Sequence, residues 1–511
     1  VIAASLTARR RTRELDDLAS GRTVDVLVVG GGVTGVGCAL DAASRGLSVA
    51  LVEAHDLAFG TSRWSSKLVH GGLRYLAHGE FGLAHESAVE RDILMTRTAP
   101  HLTRPTAQVF PTYGQRSSAL LTRGGLHAGD ALRRIAGTPS ALLPRPRAVP
   151  AAEALALAPG LRTQGLRGGL LAFDGALTDD ARLVVALART AAAHGARILT
   201  RVEATELHGD RVVARDGLTG STVELRARQV VNATGVWAGT LLPSVRLRPS
   251  RGTHVVLDGA RTGLGDTSVM VPVPGELNRF VLMLPQPGGR VYLGLTDEPL
   301  DGDPEDVPGV PGSDVDFLLS VASSVLERPV RPEDVLGAFA GLRPLLEAGG
   351  DTADLSRKHA VLTDPGTGVV TVVGGKLTTY RRMAEDAVTA AIRAAGLPTR
   401  RCRTARLPLL GAASRAQLSV VDAPPRLVAK YGTEAPRVAA LGDVDPELAR
   451  PVCEAGDVTA AEVVWAVRHE GALDVDDVLH RRTRLGLVTH DAKAAHDTVA
   501  DLVSRTTAGL T

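Results

Sequence analysis

The first patterned stretch of the chain is an apolar run at residues 24–29, of the kind found in a strand buried in a parallel sheet. A glycine-rich turn follows, then a helical stretch to Ser44 that stops near Gly46, then a second strand at 48–52. Helical patterns recur at 81–98, ending before Pro100, and at 178–194, with Asp179 and Asp180 in the first turn and Gly195 as stop. Strands are expected at 196–201 and 212–215, with a turn at Asp216-Gly217. Residues 229–239 read as a buried strand running into a turn at Ala233-Thr234-Gly235. Alternating segments near 252–257, 268–273, 279–284 and 291–295 predict an antiparallel sheet. Residues 301–314 form a loop rich in Pro, Gly and Asp, and 368–388 read as strand, Gly-Gly, helix. Beyond about 400 the strand signals fade, and the patterns at 425–441, 459–469 and 491–508 predict a helical C-terminal domain.

This alternation makes the chain α/β. Gly30, Gly32 and Gly35 give G-x-G-x-x-G between a strand and a helix, and Glu53 ends the second strand 18 positions after Gly35. In such a fingerprint, backbone N–H groups at the helix start take a pyrophosphate and the acid takes a ribose hydroxyl. A nicotinamide domain would be contiguous over about 150 residues. Strand–turn–helix units at both ends of the sequence instead favour a larger cofactor in an extended pose, and FAD fits best. The expected architecture is a Rossmann-like FAD-binding domain built from discontinuous segments (22–100, 165–240 and 340–400). An antiparallel-sheet substrate domain (101–164 and 241–339) and a helical C-terminal domain (401–511) complete it, after an N-terminal extension at 1–21.

A length of 511 residues is too great for one core. A net charge of +2 and an aromatic content of 3% argue against a nucleic-acid partner. Cys38, Cys402 and Cys453 are too scattered for a disulfide framework or a metal knuckle, and fit a reducing compartment. No run of about 18 apolar residues is present. The Arg-rich start lacks the apolar segment of a signal peptide and reads as cytoplasmic. Only five of the 58 basic residues are lysine: Lys67, Lys358, Lys376, Lys430 and Lys493. A lysine inside a chemical motif therefore hints that a compact ammonium is wanted there.

Two such lysines sit in "SSKLVHGGLRYL" (65–76) and "GGKLTTYRRMAEDA" (374–387). With "VVGGGVTGVGCALDAASRGLSVALVEAHDLAFGTS", "TDDARLV", "VNATGVWA", "RGTHVVL", "GLTD" and "GLRPLL", these stretches resemble the FAD-dependent glycerol-3-phosphate dehydrogenases, within the D-amino-acid-oxidase-like flavoproteins. The motifs occur in that family's order and cover roughly 22–395; the first two are specific to it, whereas the glycine-rich turn and "NATG" say only flavoprotein.

The resemblance implies oxidation of sn-glycerol 3-phosphate to dihydroxyacetone phosphate, with hydride passing from C2 to flavin N5 and electrons going on to a quinone. A dianionic substrate needs cations, and bidentate arginine suits phosphate; Arg74, Arg343 and Arg357 match substrate-pocket positions, and Tyr75 either closes the pocket or packs. A general base helps the hydroxyl lose its proton. His70, flanked by Gly71 and Gly72, is favoured, and His254 in an alternating strand is the second candidate. Gly375, Lys376, Leu377 and Thr378 open a helix whose N–H groups would face the negative edge of reduced flavin, with Lys376 adding charge or pairing with substrate. Thr61, Ser62, Ser66, Lys67 and Gly235 complete the expected cofactor contacts.

Two alternatives remain open: an oxidase that reduces oxygen to peroxide, and a non-catalytic FAD-binding protein, against which the Arg, His and Lys set argues. A quinone acceptor implies peripheral contact with the inner face of the cytoplasmic membrane. Residues 116–150 carry six arginines against Asp130, with Leu120, Leu121, Leu126, Leu132 and Ile135 among them, and could sit at an anionic interface. The competing reading is a solvated cover over the substrate domain. Either a monomer or a homodimer is compatible with these features.

Overall fold

The computed structural model describes residues 2–72, 79–114, 116–276, 279–300, 302–347, 358–398, 400–454 and 456–510, with the backbone alone for 2 and 116–121. Its frame is two sheets. In the first, Val370–Val373, Thr222–Asn232, Thr23–Val29, Val49–Val52 and Arg197–Leu199 lie parallel in that order. Ala360–Thr363 closes one edge antiparallel, and Val202–Leu207 and Arg211–Asp216 fold back onto Thr222–Asn232.

The helices Val33–Ser44, Asp180–Ala193 and Tyr380–Ala394 cover one face over Val26, Val28, Val49, Leu51 and Val231. Leu27, Val29, Ala50, Val52 and Val230 fill the other face. Burial on both faces is why these strands are apolar runs rather than alternations. The N-terminal segment packs on the second face. It forms a helix, Ala8–Ala19, whose Leu15 and Leu18 enter the second face and whose buried Arg11 pairs with Asp216.

The second sheet has ten strands and is antiparallel except where Ser268–Pro272 runs parallel to Thr103–Thr112. Ser250–Asp258, Ser268–Pro272, Phe280–Gln286 and Arg290–Gly294 match the four alternating segments. Alternation follows from the environment: the helix Gly312–Ser323 packs on Val255, Leu257, Val269, Val281 and Leu293, while the intervening residues face elsewhere.

Two sheet assignments differ from the expected segments. Gly168–Leu177 pairs along its length with Thr103–Thr112, and Val335–Arg343 pairs with Ser250–Asp258, so both belong to the second sheet. Leu68–Val69 also pairs there, with Gly175 and Ala176, so the 65–72 stretch crosses from one sheet to the other. Which sheet takes a segment depends on its partner strand, and local apolar pattern carries no information on that.

The C-terminal region is helical, with Pro425–Tyr431, Ala435–Val444, Ala460–His469 and Thr489–Thr507 around two cores. Arginines fasten it, all buried except the half-buried Arg484: Arg481 and Arg482 to Asp56, Arg484 to Asp179, Arg182 to Glu470 and Arg189 to Glu434. No helix among the described residues is long and apolar enough to cross a membrane.

Candidate functional site

A cavity of about 1180 Å³ runs between the two sheets, from the end of the first strand to the second sheet's inner face. Its first wall is the glycine-rich turn. Gly30 has φ +112°, and a Cβ there would lie 2.6 Å from the Ala233 carbonyl oxygen. Gly32 caps the helix Val33–Ser44 without a side-chain bond, and Ser62 Oγ accepts from Val33 N at 2.9 Å. Glu53 is held by Gly31 N (2.6 Å) and His55 N (2.9 Å), and its burial raises the carboxyl above the usual range.

Gly30, Gly32, Glu53, Thr61, Ser62 and Gly235 all line the cavity. Gly35 does not: a Cβ there would collide with the Gly30 carbonyl, so its glycine serves the packing of helix on turn.

The opposite end is built by the last strand–helix unit. Gly374 and Gly375 have φ +80° and +70°, and a Cβ on Gly375 would run into Met383. The turn Leu377–Thr379 follows, leading into Tyr380–Ala394. Gly375, Lys376, Leu377 and Thr378 line the cavity, and Lys376 Nζ donates to Ser87 Oγ at 2.9 Å.

The second sheet supplies the third wall. Gly252 and His254 project to the same side of Ser250–Asp258 and both line the cavity. The Arg343 guanidinium lies where a Cβ on Gly252 would be, donating to Asp297 Oδ1 (3.0 Å), Ser250 Oγ (3.1 Å) and the Thr296 carbonyl (3.2 Å). His254 is 2% exposed, stacks on Phe339 at 4.8 Å and meets Ser66 Oγ through Nε2 at 2.9 Å. Burial first, then the Lys67 and Arg343 charges, push its pKa down to about 3, so the imidazole is neutral.

His70, Ser66 and Arg343 also line the cavity. Lys67, Gly71 and Gly72 do not. Lys67 is buried on Asp180 (2.6 Å) and the Arg63 carbonyl (2.6 Å), away from the expected flavin flank. Gly71 N bonds Asp174 Oδ2 (3.3 Å) over the Arg91 guanidinium. Arg74, Tyr75 and Arg357 lie outside the described residues.

Sequence reasoning missed Asp297, the partner of Arg343; its motif "GLTD" was visible, but nothing in it marked an arginine 46 positions away. It also missed Asp174, which lines the cavity and holds Arg91 at 2.6 Å, and Trp237 and Trp64 on the wall.

Residues 116–150 begin with a helix, Arg116–Ile135, whose Thr122, Gly124, Gly125 and Ala128 line the cavity. Leu126 packs inward on Phe110 and Leu170, and Arg133 is buried on Asp130 and the Thr138 carbonyl. Arg123, Arg134 and Ile135 are exposed.

These walls fit FAD: glycine turns that admit a pyrophosphate, a half-buried acid at the second strand's end, and N–H groups of a helical turn at the far end. Residues 25–381 match the family model described as FAD dependent oxidoreductase, and residues 402–508 match the C-terminal domain of alpha-glycerophosphate oxidase. The chain is 54% identical to "Glycerol-3-phosphate dehydrogenase 1" of Mycobacterium tuberculosis (strain ATCC 25618 / H37Rv), over 98% of this chain and 99% of that protein. It is 39% identical to "Glycerol-3-phosphate dehydrogenase" of Mycobacterium leprae, over 94% and 84% respectively. Among solved structures it resembles the Bacillus halodurans glycerol-3-phosphate dehydrogenase complexed with FAD, with a TM-score of 0.75, 26% identity and coverage of 99% and 97%. A two-sheet cavity shaped for FAD and matches that span the chain from end to end place this protein in the family of FAD-dependent glycerol-3-phosphate dehydrogenases.

Proposed function

We propose that the chain oxidises sn-glycerol 3-phosphate at C2 to dihydroxyacetone phosphate and passes the electrons to a quinone. FAD, when bound, supplies the two-electron acceptor for the hydride that leaves C2. The observation that carries this reading is the placement of Arg343 and His254 side by side, over Gly252 and at the next inward position of one strand. Positions two apart on a strand are separated by roughly 7 Å, a span that suits a small substrate with its phosphate on the guanidinium and its hydroxyl at the imidazole.

Arg343 binds and orients the phosphate; Asp297 holds the guanidinium in place beforehand. His254 takes the hydroxyl proton on Nε2, with Ser66 Oγ as its neighbour. A phosphate on Arg343 cancels one of the two cations that disfavour the imidazolium, so substrate binding itself makes His254 more basic. His70 is the second candidate for this role. Lys376, on the opposite wall, adds positive charge where the negative edge of reduced flavin or the substrate needs it. Arg74 and Arg357 remain proposed phosphate ligands, with Tyr75 as a pocket-closing group.

Phe81, in the cavity lining beside the helix Arg116–Ile135, is 66% exposed, which supports a lipid-borne acceptor reached at the inner membrane face. The test is anaerobic mixing of the FAD-loaded protein with glycerol 3-phosphate, followed by a quinone or oxygen. Bleaching of the flavin and re-oxidation faster with quinone are expected. No bleaching refutes the substrate, and faster re-oxidation by oxygen favours the oxidase.

A further inference from the structure

Lys67 sits behind the cavity wall in a knot of bonds that the expected flavin contact does not explain. It is 1% exposed and has φ +58°, a left-handed conformation rarely adopted by residues other than Gly, Asn and Asp. Its ammonium donates to Asp180 Oδ2 and the Arg63 carbonyl, each at 2.6 Å. The same Asp180 oxygen accepts from Ser65 N (3.0 Å) and Ser65 Oγ (2.7 Å), and Ser65 Oγ accepts from Lys67 N (3.0 Å). Residues 65 and 67 are thereby tied to the first turn of the helix Asp180–Ala193. Ser66, held between them, meets His254 at 2.9 Å. The Lys67 ammonium also lies 5.2 Å from the centre of the Phe339 ring, on which the imidazole stacks.

A buried ion pair is a poor route to stability, since an apolar pair of similar volume is often as stable. We infer that Lys67 and Asp180 are positioning residues, which hold Ser66 and the Lys67 ammonium against the stacked His254 and Phe339 rings. This rests on the reading of His254 as proton acceptor. Among the described residues, two charged pairs face the imidazole. Lys67, with Asp180 behind it, comes from the 65–67 turn, and Arg343, with Asp297 on it, comes from Val335–Arg343. Ser66, Phe339 and Gly294, which pack against the ring, carry no charge. Both cations disfavour a third positive charge, and burial adds to them. Removing Lys67 therefore raises the pH at which His254 protonates.

The experiment compares parent, Lys67→Gln and Lys67→Met/Asp180→Asn, all loaded with FAD. Lys67→Gln keeps a donor for Asp180, and the double variant keeps the shape of the pair without charge, so either one suffices if the other fails to fold. His254 is titrated by NMR of its ring carbons, assigned with His254→Asn, and the pH profile of anaerobic flavin reduction is recorded beside it. The expected result is an upward shift of the His254 titration by about 1 unit or more, larger in Lys67→Gln, where Asp180 keeps its negative charge. The acid limb of flavin reduction should move with it. A His254 titration unchanged in both variants overturns the inference while leaving the proton acceptor in place. Flavin reduction at the parental rate in His254→Asn overturns the proton acceptor, and the inference with it.

Discussion

Replacing Arg482 with Met should loosen the helical C-terminal region from the cofactor wall. Arg482 is almost wholly buried and fully engaged: Nη1 and Nη2 lie 2.8 and 2.9 Å from the two oxygens of Asp56, and Nη2 donates to the Glu470 carbonyl at 2.8 Å. Asp56 follows three residues after Glu53 and is 0% exposed, so the variant leaves a buried carboxylate short of one partner. Removing one member of a buried pair costs about 3–5 kcal/mol. Arg481 Nε stays at 2.7 Å from Asp56, which favours the lower end of that range. A loss of about 3 kcal/mol is roughly a hundredfold change in a local opening equilibrium.

Hydrogen exchange on the FAD-loaded protein reads this directly. Amides of Ala460–His469, Thr489–Thr507 and the 53–57 segment should exchange about 10²-fold faster than in the parent. FAD release should quicken as well, because Glu53 is held by His55 N in the same segment. Asp56→Asn added to Arg482→Met removes the stranded charge and should recover part of the protection. Unchanged exchange at 53–57 in Arg482→Met would refute the idea that this arginine holds the cofactor wall.

Three further outcomes are expected. Glu462 is buried between Lys430 (2.8 Å) and Arg426 (2.6 Å), which hold its pKa down to about 2. A depressed carboxyl stabilises above its unfolded pKa and loses that contribution as pH falls. The helical region should therefore lose up to about 3 kcal/mol between pH 5 and 2, and Glu462→Gln should flatten this slope in acid unfolding followed by circular dichroism. Gly252→Ala places a methyl on the Arg343 guanidinium, so KM for glycerol 3-phosphate should rise about tenfold or more while FAD absorbance stays parental; an unchanged KM would remove Arg343 from the phosphate site. Finally, Arg123→Ser/Arg134→Ser should reduce co-sedimentation with anionic vesicles, at about 1 kcal/mol per charge; equal binding would rule out the helix Arg116–Ile135 as a contact.

Local pattern carried most of the first sheet and all four central strands of the second. Strands Thr23–Val29 and Val49–Val52 are apolar because both faces are covered, and Ser250–Asp258 alternates because only one face meets a helix. The N-terminal helix Ala8–Ala19 was hidden by its charge. Seven of its twelve residues, 8–19 ARRRTRELDDLA, are charged, yet one of them, Arg11, is buried on Asp216, and only Leu15 and Leu18 mark the inner face. Helix capping gave no help, because the Thr7 cap is one residue in a polar stretch. The sheet to which Gly168–Leu177 belongs was equally hidden, since that depends on a partner strand some 65 residues earlier in the chain.

The site divides along the same line. Residues whose function depends on backbone geometry were legible, because Gly30 and Gly375 stand at left-handed turns where a Cβ would also collide. Side chains whose function depends on a distant partner were not. The scarcity of lysine drew attention to Lys67 as a flavin contact, yet composition says nothing of which group takes the ammonium; it is buried on Asp180, 113 positions away. Nothing local in the sequence marks partners for Arg481, Arg482 and Arg484, and each is fastened to an acid more than 300 positions earlier. Charge runs are ambiguous for a physical reason: an arginine at a buried interface and one in water have the same sequence, and only the matching acid on another element decides between them. In this fold Asp56 lies four residues past the strand Val49–Val52 and Asp179 caps the helix Asp180–Ala193, where the cofactor wall and the Lys67 knot are anchored. The helical C-terminal region thus grips the two places where a small displacement would move Glu53 or Ser66.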